Sequence, residues 1–292
     1  MWQQLVMNGL IAGSTYGLVA LGFSLIYSVG RFFHFAHAAV IVCAGYSLLL
    51  LTTQLHVPLT IAIVVSMLIS SVLGVIMEVG IYSSLRKKRA SSSVLLLASL
   101  GLYIVIQNTI SLICGDDLHS LLSSGVGASI VVLNSRITGF QTIIVLVNGL
   151  LYALVGSIIL RTETGKLIRG VACDPELALI CGVNADRLIL FVFALGSVLA
   201  GVAGILIACD TNLTPTMGFN ALLMGIVAAV IGGIGKLRGA IIGGVFIGLV
   251  QHLGVWKVAT QWQHAIVFVV LVIFLLLRPQ GVFGKPLRQA AI

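Results

Sequence analysis

Two histidines three residues apart, His34 and His37, are the residues of this chain that come closest to a metal-binding pair. Side chains three residues apart lie on one face of a helix, so the pair could share a metal ion. No carboxylate or cysteine of suitable polarity lies near them in the sequence, and a structural metal site needs more than two ligands. The simpler interpretation is that both lie at the start of a helix, one of them hydrogen-bonded to neighbouring helices.

The cysteines and intramembrane acids offer little more chemistry. Cys173 and Cys181 lie in a polar loop without a nearby histidine, and an odd total of 5 cysteines argues against a disulfide framework. Glu78 is the only acid clearly inside a predicted span. Because a carboxylate in hydrocarbon is costly, we expect Glu78 to pair with the basic cluster at residues 86–89. The alternative is a proton-relay role, although a proton-coupled carrier usually needs more intramembrane acid.

Polar side chains inside apolar stretches form a third group. They either form hydrogen bonds between helices, worth about 0.6 kcal/mol each, or line a polar path for a small solute. In the first stretch they are Asn8, Ser14, Thr15 and Tyr16, and in the fourth they are Gln107, Asn108 and Thr109. We predict that solute passes between the first span and the fourth. The residues assigned to this path are Tyr16, His37, Gln107 and Asn108.

Motifs for catalysis are missing from the sequence. It contains no H-E-x-x-H, no G-x-S-x-G and no G-x-x-x-x-G-K-[ST] motif. The pair Gly235-Lys236 comes nearest to a phosphate-binding loop, but Leu237 follows it and Val230 stands where the loop needs glycine. We therefore predict that the protein is not an enzyme, that this chain holds no cofactor or metal, and that it does not hydrolyse ATP by itself.

The elements that position these residues must lie in a membrane. Of the 292 residues, 59% are hydrophobic and 8% are charged, whereas about a quarter are charged in soluble proteins. Such a composition does not cover a water-soluble surface. The formal net charge of +8 comes from residues between the apolar stretches, as in membrane proteins with basic cytoplasmic loops. We expect contact with membrane lipid and none with nucleic acid.

Nine apolar stretches predict an all-α fold, a polytopic transmembrane bundle of eight or nine spans in one domain over residues 1–292. The count is open at residues 217–256, where glycines crowd the junction of two short stretches. Glycines four apart at positions 235, 239 and 243 favour close helix packing, but they also suit broken or re-entrant helices. The stretches are Leu5–Tyr27, Phe33–Leu51, Pro58–Tyr82, Ser93–Cys114, Phe140–Leu160, Leu188–Cys209, Met217–Ile234, Ala240–Trp256 and Ala265–Leu277.

The basic loops predict the orientation of the chain. The densest basic cluster, at residues 86–89, belongs in the cytoplasm. Counting spans from it places the amino terminus outside, residues 161–187 inside, Lys236 and Arg238 inside, and the carboxyl-terminal tail with Lys285 and Arg288 inside. Only Arg136 and Lys257 oppose this scheme.

The cytoplasmic loop at residues 161–187 contains a short capped helix, according to its sequence. Asp174 is an N-cap candidate, Pro175 suits the first helical position and Gly182 suits the residue after the helix. This predicts a helix from Pro175 to Cys181 with an apolar side. Because so short a helix is unstable alone in water, the bundle or a partner must hold it. The alternative is an ordinary ordered loop.

The same loop resembles the cytoplasmic coupling segment of the permeases of branched-chain amino acid ABC importers, the LivH/LivM group. That family shows T/S-x-x-G-x-x-x-R-A, an acidic or amide-rich turn, and A-x-x-x-G-I/V-N-x-x-R. The residues in register are Gly165, Arg169, Ala178, Gly182, Val183, Asn184 and Arg187.

Three further blocks resemble this family in the same order along nearly the whole chain, and the LivH type matches best. Residues 13–22 and 35–37 resemble G-S-x-Y-A-L-x-A-L-G and N-F-A-H-G, with His34 in place of the asparagine and alanines at 38 and 39. Residues 215–240 resemble P…G-F…G-G-I-G-x-x-x-G-A, and residues 278–284 resemble R-P-x-G-L-F-G. The loop at residues 115–139 carries no family signature.

The resemblance implies one permease subunit of an ATP-driven importer in the bacterial inner membrane, moving leucine, isoleucine, valine or related amino acids. The implied partners are a second, LivM-like permease, two ATPase subunits that hold ATP and Mg²⁺, and a periplasmic solute-binding protein. The alternative is a channel or ion-coupled carrier for a small neutral solute such as urea or a short amide.

The residues expected to couple transport to the ATPases lie in the loop at residues 161–187. There Arg169 and Arg187 are expected to pair with acids on an ATPase, or with Glu163 and Asp186. The full coupling set is Gly165, Arg169, Asp174, Pro175, Leu177, Ala178, Ile180, Gly182 and Arg187.

Overall fold

A computed structural model of the protein describes residues 2–121, 130–132, 135–256 and 258–284. The described part is an all-α bundle with one small antiparallel hairpin in the loop without a family signature, where β1 (Ile130–Val132) pairs with β2 (Ser135–Ile137). The helices are α1 Trp2–Gly30, α2 His37–Thr53, α3 Leu59–Met77, a π-helical turn Glu78–Tyr82, α4 Ser83–Lys87, α5 Ser92–Cys114, α6 Gly139–Arg161, α7 Glu163–Cys173, α8 Pro175–Ile180, α9 Ala185–Asp210, α10 Met217–Gly232, α11 Leu237–Gly254, a 3₁₀ turn Thr260–Trp262 and α12 Gln263–Leu277.

All nine predicted apolar stretches are helices in the described chain. Within the residues that the structure describes, seven helical segments are long and apolar enough to cross a membrane, counting the continuous run Leu59–Lys87 as one. The other two, α2 and α10, have 17 and 16 residues, fewer than the roughly 20 that a span needs. Each follows a short non-helical segment, residues 31–36 before α2 and residues 211–216 before α10.

The same arrangement of a long helix, a break and a short helix occurs twice in the bundle, and the second copy runs in the opposite direction. A long helix, α1 or α9, is followed by a break, residues 31–36 or 211–216, and then by a short buried helix, α2 or α10. The two long helices cross at paired glycines. A Cβ added to Gly22 would lie 2.9 Å from the Gly196 carbonyl oxygen, and one added to Gly196 would lie 3.1 Å from the Gly22 carbonyl oxygen. Reversed repeats of this kind are common in transporters.

The centre of the bundle is formed by α1 and α9. The most apolar windows of these spans are 83% and 72% buried, against 11% for α5 and 6% for α12. A soluble protein would not expose the large leucine, isoleucine and valine faces of α3, α5, α6 and α12. Those outer helices therefore face lipid or another membrane subunit.

Glycines hold α11 against α10 and α1, which is the first of the two alternatives that the sequence left open. A Cβ on Gly239 would meet the carbonyl of Gly232, which packs α11 on α10. A Cβ on Gly13 of α1 would lie 2.8 Å from the Cα of Val245, so α1 and α11 also touch through their backbones. The positive φ angles of Gly233 (101°) and Gly235 (78°) turn the chain between α10 and α11. The glycine-rich stretch is thus two separate helices packed together.

Most basic segments of the described chain share one face of the bundle, whereas Arg136, whose backbone amide donates to Gln4 at the start of α1, lies at the opposite face. The Arg31 guanidinium donates to the carbonyl oxygens of Ala172 and Cys173, and the Ser92 hydroxyl donates to the Arg31 carbonyl. The Val282 amide donates to the Ile231 carbonyl, which brings the carboxyl-terminal segment to this face. We call it the basic face. The predicted grouping of basic segments is therefore present, while its cytoplasmic orientation stays a prediction; Lys257, Lys285 and Arg288 lie outside the described residues.

Candidate functional site

Two consecutive helices form the loop at residues 161–187. The sequence analysis predicted only the second, α8, which ends at Ile180 with Cys181 as its C-cap, one residue earlier than expected. The first, α7, was missed. Its signals were an N-cap threonine, Thr162, whose hydroxyl accepts from the Gly165 amide at 3.1 Å, and the apolar pair Ile168 and Val171, which is buried.

Both ends of α8 have the predicted geometry. Asp174 Oδ1 accepts from the backbone amides of Glu176 at 3.0 Å and Leu177 at 3.1 Å, and Pro175 occupies the first turn. Gly182 has a φ of 81°, the left-handed conformation that glycine adopts at little cost. Next, the Asn184 side chain accepts from the Arg187 amide at 3.1 Å and begins α9. The helix is therefore fixed at both ends.

The apolar side of α8 faces away from the bundle. Ala178 is 8% exposed and packs inward, whereas Leu177 is 58% and Ile180 is 83% exposed. A two-turn helix with so small a buried surface gains little from its own chain. Its exposed leucine and isoleucine, on the basic face, are available to a partner.

Within the described chain, the arginines of the loop do not form the ion pairs with Glu163 and Asp186 that one alternative predicted. Arg169 Nη1 donates to the Ile159 carbonyl oxygen at 2.7 Å and so ties α7 to the end of α6. Glu163 pairs with Lys166 at 2.9 Å. Lys166 is three residues from Glu163 on the same helical face, whereas Arg169 is six residues away and points to α6. Of the two alternatives for Arg169, the pairing with Glu163 is absent here, and the pairing with an acid on an ATPase stays a prediction. Gly165 is needed here, because a Cβ would meet the carbonyls of Ile158 and Ile159.

A polar cavity of about 280 Å³ opens at the opposite face, where α1 begins. We call it the amino-terminal cavity. Its polar groups come from five helices and one break, and its apolar walls come from α1, α6, α9 and α10. The lining residues are Ile11, Ala12, Thr15, Tyr16, Ile144, Leu206, Ile207, Asp210, Thr211, Thr214, Met217, Asn220, Ala221, Gln251 and His264.

The cavity combines one acid, an unpartnered amide oxygen and a helix start. Asp210 is the single acid in the lining, and Gln141 Nε2 lies 3.5 Å from its Oδ1. Gln251 is 5% exposed, and its Oε1 has no hydrogen-bond partner among the described residues. At the start of α10, Thr216 makes no side-chain cap, and the Met217 and Phe219 amides donate to the carbonyls of Thr214 and Thr216, at 3.2 Å each. The acid and the free amide oxygen can hold a cationic group, and the positive end of the α10 dipole favours an anionic one.

The four residues predicted to line a solute path do not come together. Tyr16 lines the amino-terminal cavity, but the other three do not. Asn108 is exposed and its amide donates to the Ile104 carbonyl of its own helix. The reason is packing: α5 lies chiefly against α2, with Tyr103 stacked on Phe219 of α10 at 5.3 Å, and not along α1. The cavity beside α1 is therefore lined by no residue of α5, and Gln107 and Asn108 are not part of it.

Asp210 and Gln251 are among the polar cavity residues that the sequence analysis missed. Asp210 lies just beyond the end of a predicted stretch and Gln251 lies inside another. An acid ending an apolar stretch and an amide within one are the signals that could have identified them.

Two interpretations were open for the polar residues in the first span, hydrogen bonding between helices and contact with solute, and Thr15 is placed for both. Its side chain lines the amino-terminal cavity and also accepts from Asn148 Nδ2 at 3.3 Å, while Ser14 accepts from the same nitrogen at 2.9 Å. The Tyr152 hydroxyl donates to the Ser14 carbonyl. Thus α6 is joined to α1 by hydrogen bonds next to the cavity.

The histidine pair is buried in the break before α2. His34 and His37 are both fully buried, their ring centroids 5.8 Å apart, and His34 Nδ1 lies 3.1 Å from the Tyr82 hydroxyl. This agrees with the simpler interpretation, a histidine bonded to a neighbouring helix. Among the described residues no group of three or more His, Cys, Asp or Glu side chains could hold a metal ion.

Glu78 has the predicted partner. Its carboxylate makes two contacts with the Arg86 guanidinium, one of them 3.2 Å between Oε2 and Nη1. The acid is 2% exposed and lies in the π-helical turn, which brings the two side chains together across eight residues. A bidentate pair of this kind satisfies the buried carboxylate.

A second cavity, of about 970 Å³, opens on the basic face and shares no lining residue with the first. We call it the basic cavity. It lies between the ends of α1 and α6, the helix α7 and the turn before α11. Its charged lining residues are Arg31, Arg169, Lys236 and Arg238.

Comparison with known proteins places this bundle among membrane permeases. The sequence profile described as "Branched-chain amino acid transport system / permease component" matches residues 5–275. The chain is 30% identical to the high-affinity branched-chain amino acid transport system permease protein BraD of Pseudomonas aeruginosa, in an alignment that covers 97% of this chain and 96% of that protein. It is 29% identical to the corresponding LivH of Escherichia coli K12, with the same coverage of both chains. It is 24% identical to a probable LivH of Methanocaldococcus jannaschii, covering 97% of this chain and 93% of that one. No solved structure matches the chain.

Proposed function

The chain belongs to the branched-chain amino acid transport system permease family, and from that premise we propose that it is one permease subunit of an ATP-driven importer for leucine, isoleucine, valine or related amino acids. The observation that carries the proposal is α8, a helix fixed at both ends by Asp174 and Gly182 whose apolar side is exposed. A rigid, unpartnered helix on the basic face suits a role in receiving motion from a separate ATPase.

Partner subunits follow from what this chain lacks. It has no nucleotide-binding motif, so ATP and Mg²⁺ belong to two ATPase subunits that dock on the basic face. A second permease, LivM-like, covers part of the exposed apolar surface, and a solute-binding protein delivers solute to the face with the amino-terminal cavity. In this arrangement the amino terminus is outside and the basic face is cytoplasmic, as the distribution of Lys and Arg supports.

The amino-terminal cavity suits the recognition of a small amino acid. The solute's ammonium group lies at Asp210 and Gln251 Oε1, and its carboxylate lies toward the start of α10, where the helix dipole favours an anion. The apolar side chain packs against Ile11, Ile144 and their neighbours from α9. A volume of about 280 Å³ is below the usual range of drug-sized pockets, which starts at about 300 Å³, and is appropriate for one small solute.

Movement of solute requires the two faces to open in turn. The middle of α1, including Leu18 and Leu21, is fully buried and separates the two cavities. Motion at α8 passes to α7, which Arg169 joins to α6, and α6 is joined to α1 through Asn148 and Tyr152. This chain of contacts gives the ATPases a mechanical route to the amino-terminal cavity.

The test is uptake by the purified complex in proteoliposomes. The expected result is that labelled leucine accumulates only when ATP, both ATPase subunits and the binding protein are present. Urea and a short amide serve as the comparison solutes. Uptake by this chain alone without ATP, with urea carried as well as leucine, would instead identify a channel or carrier for small neutral solutes.

A further inference from the structure

The basic cavity has the composition of a site for an amphiphilic anion. It gathers four cationic side chains, Arg31, Arg169, Lys236 and Arg238, and none of its lining residues is an acid. The remaining walls are mostly apolar, with Leu25 and Ile159 among them. At about 970 Å³ it lies at the upper end of the usual range for ligand pockets.

Two of the four cations have no partner among the described residues. The guanidinium of Arg31 donates from Nη2 to the carbonyls of Ala172 and Cys173, and Arg169 donates from Nη1 to Ile159. An arginine has five N–H donors, so both retain donors for a ligand. Lys236 and Arg238 make no hydrogen bond or ion pair with another described side chain or carbonyl. Four positive charges at one cavity without an acid repel one another, and a bound anion removes that repulsion.

The basic cavity lies at the level in the membrane where lipid headgroups lie. Arg31 follows the last residue of α1, Lys236 precedes the first residue of α11, and the end of α6 contributes Leu160. These are the ends of membrane-spanning helices, where headgroups lie. Leu160 is also 53% exposed, at the end of the apolar outer side of α6 that carries Leu150 and Leu154. The cavity is thus open toward the side of the bundle that faces lipid or a membrane partner.

We propose that the basic cavity binds the phosphate headgroup of an anionic phospholipid, such as phosphatidylglycerol or cardiolipin. Basic pockets between transmembrane helices on the cytoplasmic side bind such headgroups. The phosphate lies among Lys236, Arg238 and the free donors of Arg31 and Arg169, and the first part of an acyl chain covers the apolar wall. An acidic peptide segment or a soluble phosphate would match the charges but leave the apolar wall without contacts.

The site also lies on the proposed mechanical route, because Arg169 belongs both to the cavity and to the contact between α7 and α6. Bound lipid therefore stabilises α7 against the bundle. This makes the lipid a structural ligand of the coupling region, independent of which solute is carried.

The experiment measures lipid retention by the purified complex of this chain with its partner subunits. The complex is extracted, depleted of lipid, and mixed with equal amounts of phosphatidylglycerol and phosphatidylcholine before native mass spectrometry. The wild-type complex is expected to retain phosphatidylglycerol preferentially, with a preference that falls as salt is raised. Equal retention of the two lipids by the wild type would overturn the proposal, without recourse to any variant.

The variant Lys236→Gln/Arg238→Gln removes the two unpartnered cations. Each Lys or Arg near an anionic headgroup is worth about a fivefold change in binding, so retention is expected to fall about 25-fold. The matched control is Lys87→Gln/Lys88→Gln, which removes the same charge from exposed residues at the end of α4, outside the cavity. The control is expected to retain lipid as the wild type does.

Three further outcomes would also refute the lipid assignment. Equal retention by the two double variants would show that the cavity does not select the lipid. Displacement of the lipid by millimolar inorganic phosphate or glycerol phosphate would identify a soluble anion as the ligand. Unchanged lipid retention with loss of the ATPase subunits from the Lys236→Gln/Arg238→Gln complex would identify an acidic segment of the ATPase as the occupant. Size-exclusion chromatography of each complex reports the assembly.

Discussion

Replacing Leu177 with aspartate tests whether α8 receives the motion of the ATPase subunits. Leu177 is 58% exposed, so its side chain makes only part of its possible contacts within this chain. The caps of α8 use the Asp174 side chain and the Gly182 backbone, and the Leu177 contribution to them is its amide, which aspartate retains. The change should therefore leave the helix and the membrane bundle folded, within about 0.5 kcal/mol, as for most surface substitutions.

The loss of docking energy can be worked from the exposed fraction. Full burial of a leucine side chain is worth about 1.5–3 kcal/mol. With 58% of that surface still exposed, a partner that covers it gains about 1–2 kcal/mol, or roughly a 5- to 30-fold change in affinity. The new carboxylate adds the cost of its own desolvation in an apolar contact, so the measured loss should exceed the value for burial alone.

The assay has two readouts on purified complexes. Retention of the ATPase subunits after size-exclusion chromatography measures docking, and stimulation of ATP hydrolysis by leucine with its binding protein measures coupling. The control is Leu118→Asp, the same change at a 69% exposed leucine in the loop after α5, away from the basic face. Reduced ATPase retention and reduced stimulation are expected for Leu177→Asp, and normal ATPase retention is expected for Leu118→Asp. Normal assembly together with normal stimulation in the Leu177→Asp complex would show that α8 is not the coupling helix.

Three other predictions test the cavity, the glycine packing and the orientation. Asp210→Asn removes the charge from the amino-terminal cavity, and a lost charged hydrogen bond of about 1.5 kcal/mol raises the KM for leucine about tenfold; an unchanged KM in the uptake assay would remove Asp210 from the solute site. Gly248→Val places a branched side chain against the backbone of Gly9 and Gly13, so unfolding in detergent should become easier by at least about 1–3 kcal/mol. Gly149→Val, at a position with open space, serves as its control, and equal stability of the two variants would contradict the packing argument. In a variant whose five cysteines are replaced by serine, a cysteine introduced as Thr164→Cys should react in whole cells with a membrane-impermeant thiol reagent only after lysis; labelling before lysis would reverse the predicted orientation.

Several features of this protein were determined by short stretches of sequence alone. Asp174, Pro175 and Gly182 act within a few residues of one another, so their caps could be read from their order. The nine apolar helices could be read in the same way, because an apolar stretch of sufficient length has few alternatives to a helix in hydrocarbon. The cost of a carboxylate in hydrocarbon predicted that Glu78 pairs with the basic cluster at residues 86–89, and Arg86 of that cluster is its partner.

The composition of the candidate site, in contrast, was decided by tertiary structure. Asp210, Gln251 and Tyr16 lie on three different helices, and only the packing of α9 and α11 around α1 brings them to one cavity. Gln107 and Asn108 looked equally suitable in the sequence, yet α5 packs on α2 and turns Asn108 outward. The sequence of a single span states which residues are polar and how they are spaced. Which neighbour each face meets depends on backbone contacts such as Gly22 with Gly196 and Gly13 with Val245, and these join residues more than a hundred positions apart.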